Sequence, residues 1–296
     1  KRGVDIFRPL WWLILNGPIL TFRPSKSGKA YQKIWDKENY GSPLRKFTIN
    51  QTSKIKKIFK NYKNISIDYA MRYGTPEIEK ILNKMTEKGC SKILLVPLYP
   101  QYAASTSATV KDEVFKWMLK QRWQPDLRTI APWFDDQKYI KALAETIKKN
   151  IINKKNLDKL VVSFHGIPKR YFMAGDPYHC HCIKTARLLK EELKWPDDKI
   201  LVTFQSRFGP EPWLQPYTDK TIIGLAKKGQ KNIAVIAPGF ISDCLETLEE
   251  INVEARELFI ENGGENFEYI PCLNDNEYSI KFLEYIIKQN LLGWKY

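Results

Sequence analysis

A succession of short, nearly continuous apolar runs, each followed by a stretch of helical periodicity, limits what this chain can fold into more than any other feature. The runs fall at 65–71, 92–98 (KILLVPL), 127–130, 160–164 (LVVSF), 200–205, 232–237 and 267–270. Between them the spacing predicts helices over 76–88, 105–120, 136–152, 183–194, 218–228, 245–261 and 277–290, with a shorter one around 30–35. The helix over 76–88 is expected to open on Thr75 as N-cap with Pro76 at its first position. Strands without alternating polar positions are buried on both faces, and strand–helix alternation gives parallel sheets covered by helices. The pattern restarts after the polar stretch 148–159, which divides the 296 residues into two α/β units, 1–152 and 153–296.

Several function classes fall away at this stage. Neither GxGxxG nor GxxxxGK[ST] is present, so nucleotide chemistry has no support. No apolar run reaches the roughly 18 to 20 residues that cross a bilayer; the longest, 9–22 (PLWWLILNGPILTF), is broken by Asn16, Gly17 and Pro18. The net charge of +15 is concentrated at one end, because residues 1–64 hold 15 Lys+Arg against 3 Asp+Glu and so carry 12 of the 15. A basic segment beside an apolar stretch favours an anionic ligand or a membrane surface, and specific nucleic-acid binding is not expected. The five cysteines are an odd number and predict a reducing compartment rather than a disulfide framework.

The stretch 163–182 (SFHGIPKRYFMAGDPYHCHC) gathers all three histidines and two of the cysteines. His165 follows an apolar run directly, and in open α/β sheets ligand-handling residues lie at the carboxyl ends of strands. A second acidic stretch, 243–254 (DCLETLEEINVE), spaces Glu246, Glu250 and Glu254 by four, on one face of a helix. If the two preceding strands are neighbours, His165 and Glu246 face each other, a pair able to accept protons near neutral pH or to hold Fe(II), Zn(II) or Co(II). A solvated acidic face explains the same spacing. In His179-Cys180-His181-Cys182 adjacent residues cannot converge on one tetrahedral ion, so a helix start is expected there. Tyr102, Tyr178 and Trp213 lie near these loops, and flat side chains round a crevice suit a large planar ligand.

SFHGIPKRY, GDPY, FQSRFGPEPWLQP and SDCLETLEEI, together with RYG at 72–74 and PQYAAST at 100–106, closely resemble the ferrochelatase family over nearly the whole chain. The resemblance implies two Rossmann-like domains with a porphyrin cleft between them, the last helix packing back on the first domain. It implies Fe(II) insertion into protoporphyrin IX with release of two protons, the terminal step of haem biosynthesis. His165 matches the family's motif histidine, proton acceptor or metal ligand, and Glu246 its partner carboxylate; Glu250 and Glu254 continue an acidic line, often on a locally widened helix. Arg23, Tyr31 and Ser42 fall where the family places groups near the porphyrin propionates, while Tyr102, Tyr178 and Trp213 look like cleft residues. Residues 9–22 resemble a lip that touches the membrane, which implies a cytoplasmic protein, peripheral on the inner membrane face, monomeric or homodimeric.

Fe(II) is then a substrate, and no cofactor is required. Ala104 stands where cluster-bearing relatives have Cys and no cysteine-rich tail follows Tyr296, so an iron–sulfur cluster is not expected. Cys244 stands where some members carry His. The family's opening strand and NLG-P loop are expected before Lys1. A competing reading from another class is a non-catalytic two-lobed protein that binds a tetrapyrrole or metal chelate. Metal-dependent spectral change of protoporphyrin separates the two.

Overall fold

The computed structural model describes residues 12, 15–19, 28–35, 41–151 and 156–294. Among them two parallel sheets form. In the smaller, β1 (Lys92–Leu95) pairs with β2 (Asp126–Thr129). The larger contains β3 (Lys159–His165), β4 (Ile200–Gln205), β5 (Asn232–Ile236) and β6 (Asn266–Ile270), in the spatial order β4-β3-β5-β6. The helices are α1 (Pro43–Ile58), α2 (Ile78–Glu87), α3 (Ser107–Lys120), α4 (Gln137–Ile151), α5 (Lys169–Met173), α6 (Tyr178–Leu193), α7 (Thr218–Lys227), α8 (Leu245–Leu248), α9 (Arg256–Glu261) and α10 (Glu277–Leu291). A further helix runs over 28–34. Among the described residues no helix is long and apolar enough to cross a membrane.

β3 is central because its sequence leaves it no other place. Leu160, Val161, Val162 and Phe164 are all fully buried, and burial of each such side chain is worth about 1.5–3 kcal/mol. The chain leaves β3 to form β4 on one side and then crosses back to form β5 on the other. This reversal is a topological switch point, and it opens a crevice at the carboxyl ends of β3 and β5. His165 ends β3, and Glu246 follows β5. The two strands that precede the residues singled out from sequence are neighbours.

The smaller sheet departs from expectation. Residues 65–71 form no strand; their one β-type pairing is an isolated bridge, Met71 to Glu77. Ile65 and Ile67 pack on the core, but Asp68, which follows them, pairs with Lys84 at 2.8 Å and Lys56 at 3.5 Å. The segment is therefore an extended connection pinned by ion pairs. β1 stops at Leu95, two residues before Pro97, which has no N–H to continue a ladder. α2 opens on Glu77 rather than Thr75, because the Pro76 carbonyl accepts from Met71 N–H at 2.8 Å. α6 begins at Tyr178, five residues before the predicted 183, and so takes in the whole of 179–182.

One continuous hydrophobic core draws on both halves of the chain, from Ile55, Phe59 and Trp133 to Leu160, Phe164 and Phe282. The Tyr139 hydroxyl on α4 donates to the Pro238 carbonyl just after β5. The last helix, α10, packs against α1 and α4.

Candidate active site

His165 sits half-buried at the mouth of the crevice, between Trp213 and Phe240, whose ring centres are each 6.4 Å away. Its Nδ1 lies 2.6 Å from the Gly166 carbonyl. A carbonyl oxygen only accepts, so in the neutral ring Nδ1 carries the hydrogen and Nε2 presents a lone pair. Gly166 is required for close approach. A Cβ there would come 2.9 Å from the Gln205 backbone oxygen and 3.1 Å from the Trp213 ring.

A buried polar network joins this histidine's strand to the acidic helix. Gln205, in register with His165, accepts from the Ser163 hydroxyl at 2.7 Å and donates to the Glu246 carbonyl at 2.6 Å and to Glu250 Oε2 at 3.4 Å. Ser206, in the left-handed region at φ 65°, also donates to Glu250 Oε2. That conformation is costly for a residue with a Cβ, and the hydroxyl it aims at the carboxylate gives it a reason to persist. Burial, and then the nearby Glu246 charge, push the Glu250 carboxyl up; Ser206, His165 and Gln205 pull it back in part.

The helix predicted over 245–261 is interrupted. After α8 the backbone widens into a π-helical segment, Glu250–Ala255, before α9 resumes. Glu254 N–H donates to Glu249 O, five residues back, at 2.9 Å. The Arg256 guanidinium takes up the carbonyl of Asn252 at 3.0 Å and its side chain at 2.6 Å. In an α-helix roughly 3.6 residues make a turn, so side chains four apart drift one way round the axis. A π turn takes more residues and reverses that drift. Glu246 and Glu250 are half-buried and Glu254 is exposed.

Asp243 anchors the start of this helix and is a residue that sequence reasoning passed over. Its buried carboxylate accepts from Thr247 Oγ1 at 3.2 Å, Cys272 N–H at 3.2 Å, Asn274 Nδ2 at 2.6 Å and the Tyr269 hydroxyl. Its 4% exposure is the signal, and no spacing in the sequence reveals it. Cys244 is buried, and burial followed by the Glu246 charge pushes its thiol well up, so it is a neutral neighbour of Glu246. Two phenols approach from elsewhere: Tyr31, raised by burial and then by Glu246 and Cys244, and Tyr99, raised by burial and then by Tyr73 and Cys244.

The remaining predicted residues divide. Tyr31 on the helix over 28–34 is brought to the site, beside an open cavity of about 590 Å³ lined by Gly28, Tyr31, Gln32 and Trp35. Trp213 covers Gly166, and its buried indole N–H has no hydrogen-bond partner. Tyr178 is not an open cleft wall, because it is 6% exposed and packs in the core. Tyr102 is half-buried, and its backbone N–H donates to His181 Nδ1 at 3.2 Å. Ser42 caps α1, accepting from Arg45 N–H at 3.3 Å. Arg23 lies outside the described residues, as does most of 9–22, of which Trp12 is 62% exposed.

His179 and His181 do not meet a metal together. His181 stacks on Phe134 at 3.7 Å, and His179 lies against Phe172 and Phe204; burial lowers the pKa of both. Among the described residues no three His, Cys, Asp or Glu side chains converge closely enough to hold a metal ion.

The sequence profile of the ferrochelatase family matches residues 1–291. The chain belongs to the ferrochelatase family. It is 55% identical over 295 residues to a ferrochelatase of Allorhizobium ampelinum, covering 99% of this chain and 86% of that protein. Identity to a ferrochelatase of Agrobacterium fabrum is 52%, with the same coverage. The fold is similar to that of SirB from Bacillus subtilis, solved with Fe3+, at a TM-score of 0.59 and 16% identity, over 86% of this chain and 93% of that one.

Proposed function

We propose that this ferrochelatase-family chain inserts Fe(II) into protoporphyrin IX, a lyase reaction, with His165 and the Glu246–Glu250 pair handling protons and metal at the switch-point crevice. The observation that carries the reading is the contact of His165 Nδ1 with the Gly166 carbonyl. With Nδ1 donating there, the Nε2 lone pair is left free, and His165 lies close enough to Glu250 to act on its carboxyl.

Insertion replaces two pyrrole N–H bonds with one metal, so two protons must leave and no electrons move; no redox cofactor is required, and no iron–sulfur cluster is invoked. His165 Nε2 accepts a pyrrole proton through the lone pair left by the Nδ1 contact with the Gly166 carbonyl. Glu250, raised by burial, takes up and releases protons closer to neutrality than an exposed glutamate. Trp213 and Phe240 line the approach to His165, where flat surfaces suit a macrocycle bent toward the geometry in which nitrogens leave the ring plane. The metal is a substrate, held by few oxygen and nitrogen ligands, which suits delivery. Glu254, exposed, is the outer member of that line.

The basic segment 1–64 and Arg23 neutralise the propionates, and residues 9–22 touch the inner membrane face of a cytoplasmic protein. Anaerobic incubation with protoporphyrin and Fe(II) or Zn(II) tests the reading by the metalloporphyrin spectrum. Tight porphyrin binding without metalloporphyrin would make the chain a binding protein instead. Glu250→Gln should impair saturation by metal more than porphyrin binding, and an unchanged metal dependence would remove Glu250 from the site.

A further inference from the structure

The helix over 28–34 is tied to the acidic helix by one ionic contact. Lys33 Nζ lies 2.6 Å from Glu249 Oε1, with the lysine side chain 59% exposed and the glutamate's 6%. Glu249 stands where α8 gives way to the π segment, between Glu246 and Glu250 in sequence. Its other oxygen, Oε2, is buried with no hydrogen-bond partner among the described residues. A carboxylate withdrawn from water in this way depends on its counter-ion, because desolvation of a charge is offset only by a close partner. That partner is Lys33, whose ammonium also lies in the field of Glu254 and Glu257. Two residues earlier on the same helix, Tyr31 faces Glu246 and Cys244.

We propose that Lys33 and Glu249 form an ionic clasp that holds the Tyr31 helix over the carboxylate row, and that a divalent transition-metal ion reaching the outer carboxylates displaces the Lys33 ammonium and opens the clasp. Lys33 is a tethered cation standing where an incoming cation is drawn. A doubly charged ion that bonds carboxylate oxygen directly outcompetes an ammonium held by a hydrogen bond. The unpartnered Glu249 Oε2 supplies an acceptor that the lysine leaves unused. Metal arrival is thereby coupled to loosening of the wall that carries Tyr31. Lys33 and Glu249 act as positioning residues, and the coupling rests on the metal-insertion reading above.

The test is hydrogen exchange of residues 28–35 in the full chain without porphyrin. In the parent, Zn(II) should speed exchange of this segment by roughly fivefold, the scale of one such ion pair. Mg(II), which sheds its water reluctantly, should leave it unchanged. Lys33→Met should exchange fast with or without Zn(II), and Lys33→Arg should behave as the parent. The double variant Lys33→Met/Glu249→Gln leaves no buried charge unpaired and should match Lys33→Met even if the single variant folds poorly. In turnover, Lys33→Met should raise the porphyrin KM with a smaller change in kcat. Equal exchange in parent and Lys33→Met, or a parent indifferent to Zn(II), overturns the clasp. A parent that makes no metalloporphyrin overturns the insertion reading and leaves the exchange result standing on its own.

Discussion

The larger sheet and the helix before α1 hold their functional side chains by opposite means. At the carboxyl end of β3–β5 the groups around His165 and Glu250 are held by several contacts. His165 is fixed by a backbone carbonyl, Glu250 by Ser206 and Gln205, and the helix start by Asp243 with four donors. On the helix over 28–34, Tyr31 is half-exposed beside an open cavity and Lys33 provides one ion pair to a neighbouring element. The contrast is physical. Proton and metal chemistry needs atoms fixed to within a fraction of an ångström, whereas a wall that admits a large planar substrate must be able to give.

The largest break in that contrast is His165→Ala. Turnover should fall by about 10²–10⁴-fold, while porphyrin affinity, measured by fluorescence quenching, stays within about tenfold. Full activity would remove His165 from the chemistry. Asp243→Ala is next. It orphans the donors of Thr247, Tyr269, Asn274 and Cys272, at about 1–3 kcal/mol for each group left buried without a partner, and denaturant unfolding should show a lowered midpoint together with lost activity. Gly166→Ala should cost about 1–3 kcal/mol through overpacking against Gln205 and Trp213. A shifted tryptophan fluorescence would locate the disturbance at Trp213.

Glu250→Gln sharpens the comparison through pH. The folded-state pKa of Glu250 lies above its ordinary 4.5, so between those values the native state binds more protons than the unfolded chain. Stability from this group is therefore present below about 4.5 and is lost as pH rises through the folded value. Relative to the parent, Glu250→Gln should be more stable at neutral pH, and the advantage should vanish below pH 4.5. An advantage independent of pH would contradict it. The smallest effect is expected in the less constrained region: Ser42→Ala removes the α1 cap and should cost about 1 kcal/mol, seen in thermal unfolding with kcat unchanged.

Much of the frame was legible because its signals are local. The runs at 160–164, 200–205, 232–237 and 267–270 became β3 to β6 within a residue at almost every end, since continuous Val, Ile and Phe can only be buried in a sheet's middle. His165 could be found because it ends such a run. Residues 65–71 misled because Asp68 found Lys84 and Lys56, partners 16 and 12 positions away in sequence. Tyr178 misled because the helix start expected at 179–182 says nothing of which way its first side chain turns, and that side chain packs into the core. Asp243, Gln205 and Ser206 lie inside the quoted motifs but show no role there, because the partners of a polar side chain are not visible in sequence.

By itself, the sequence determined the order of strands and helices, the family, and the candidate proton acceptor and carboxylates, because periodicity and motif are properties of neighbours along the chain. Only the tertiary structure decided that β5 returns to the far side of β3 and brings Glu246 and Glu250 to His165. It also decided that the helix widens after Glu249, that His165 commits its Nδ1 to the Gly166 carbonyl, and that Lys33 closes on a glutamate 216 residues away. Those outcomes depend on strand order and on burial, which exist only once distant segments have packed together.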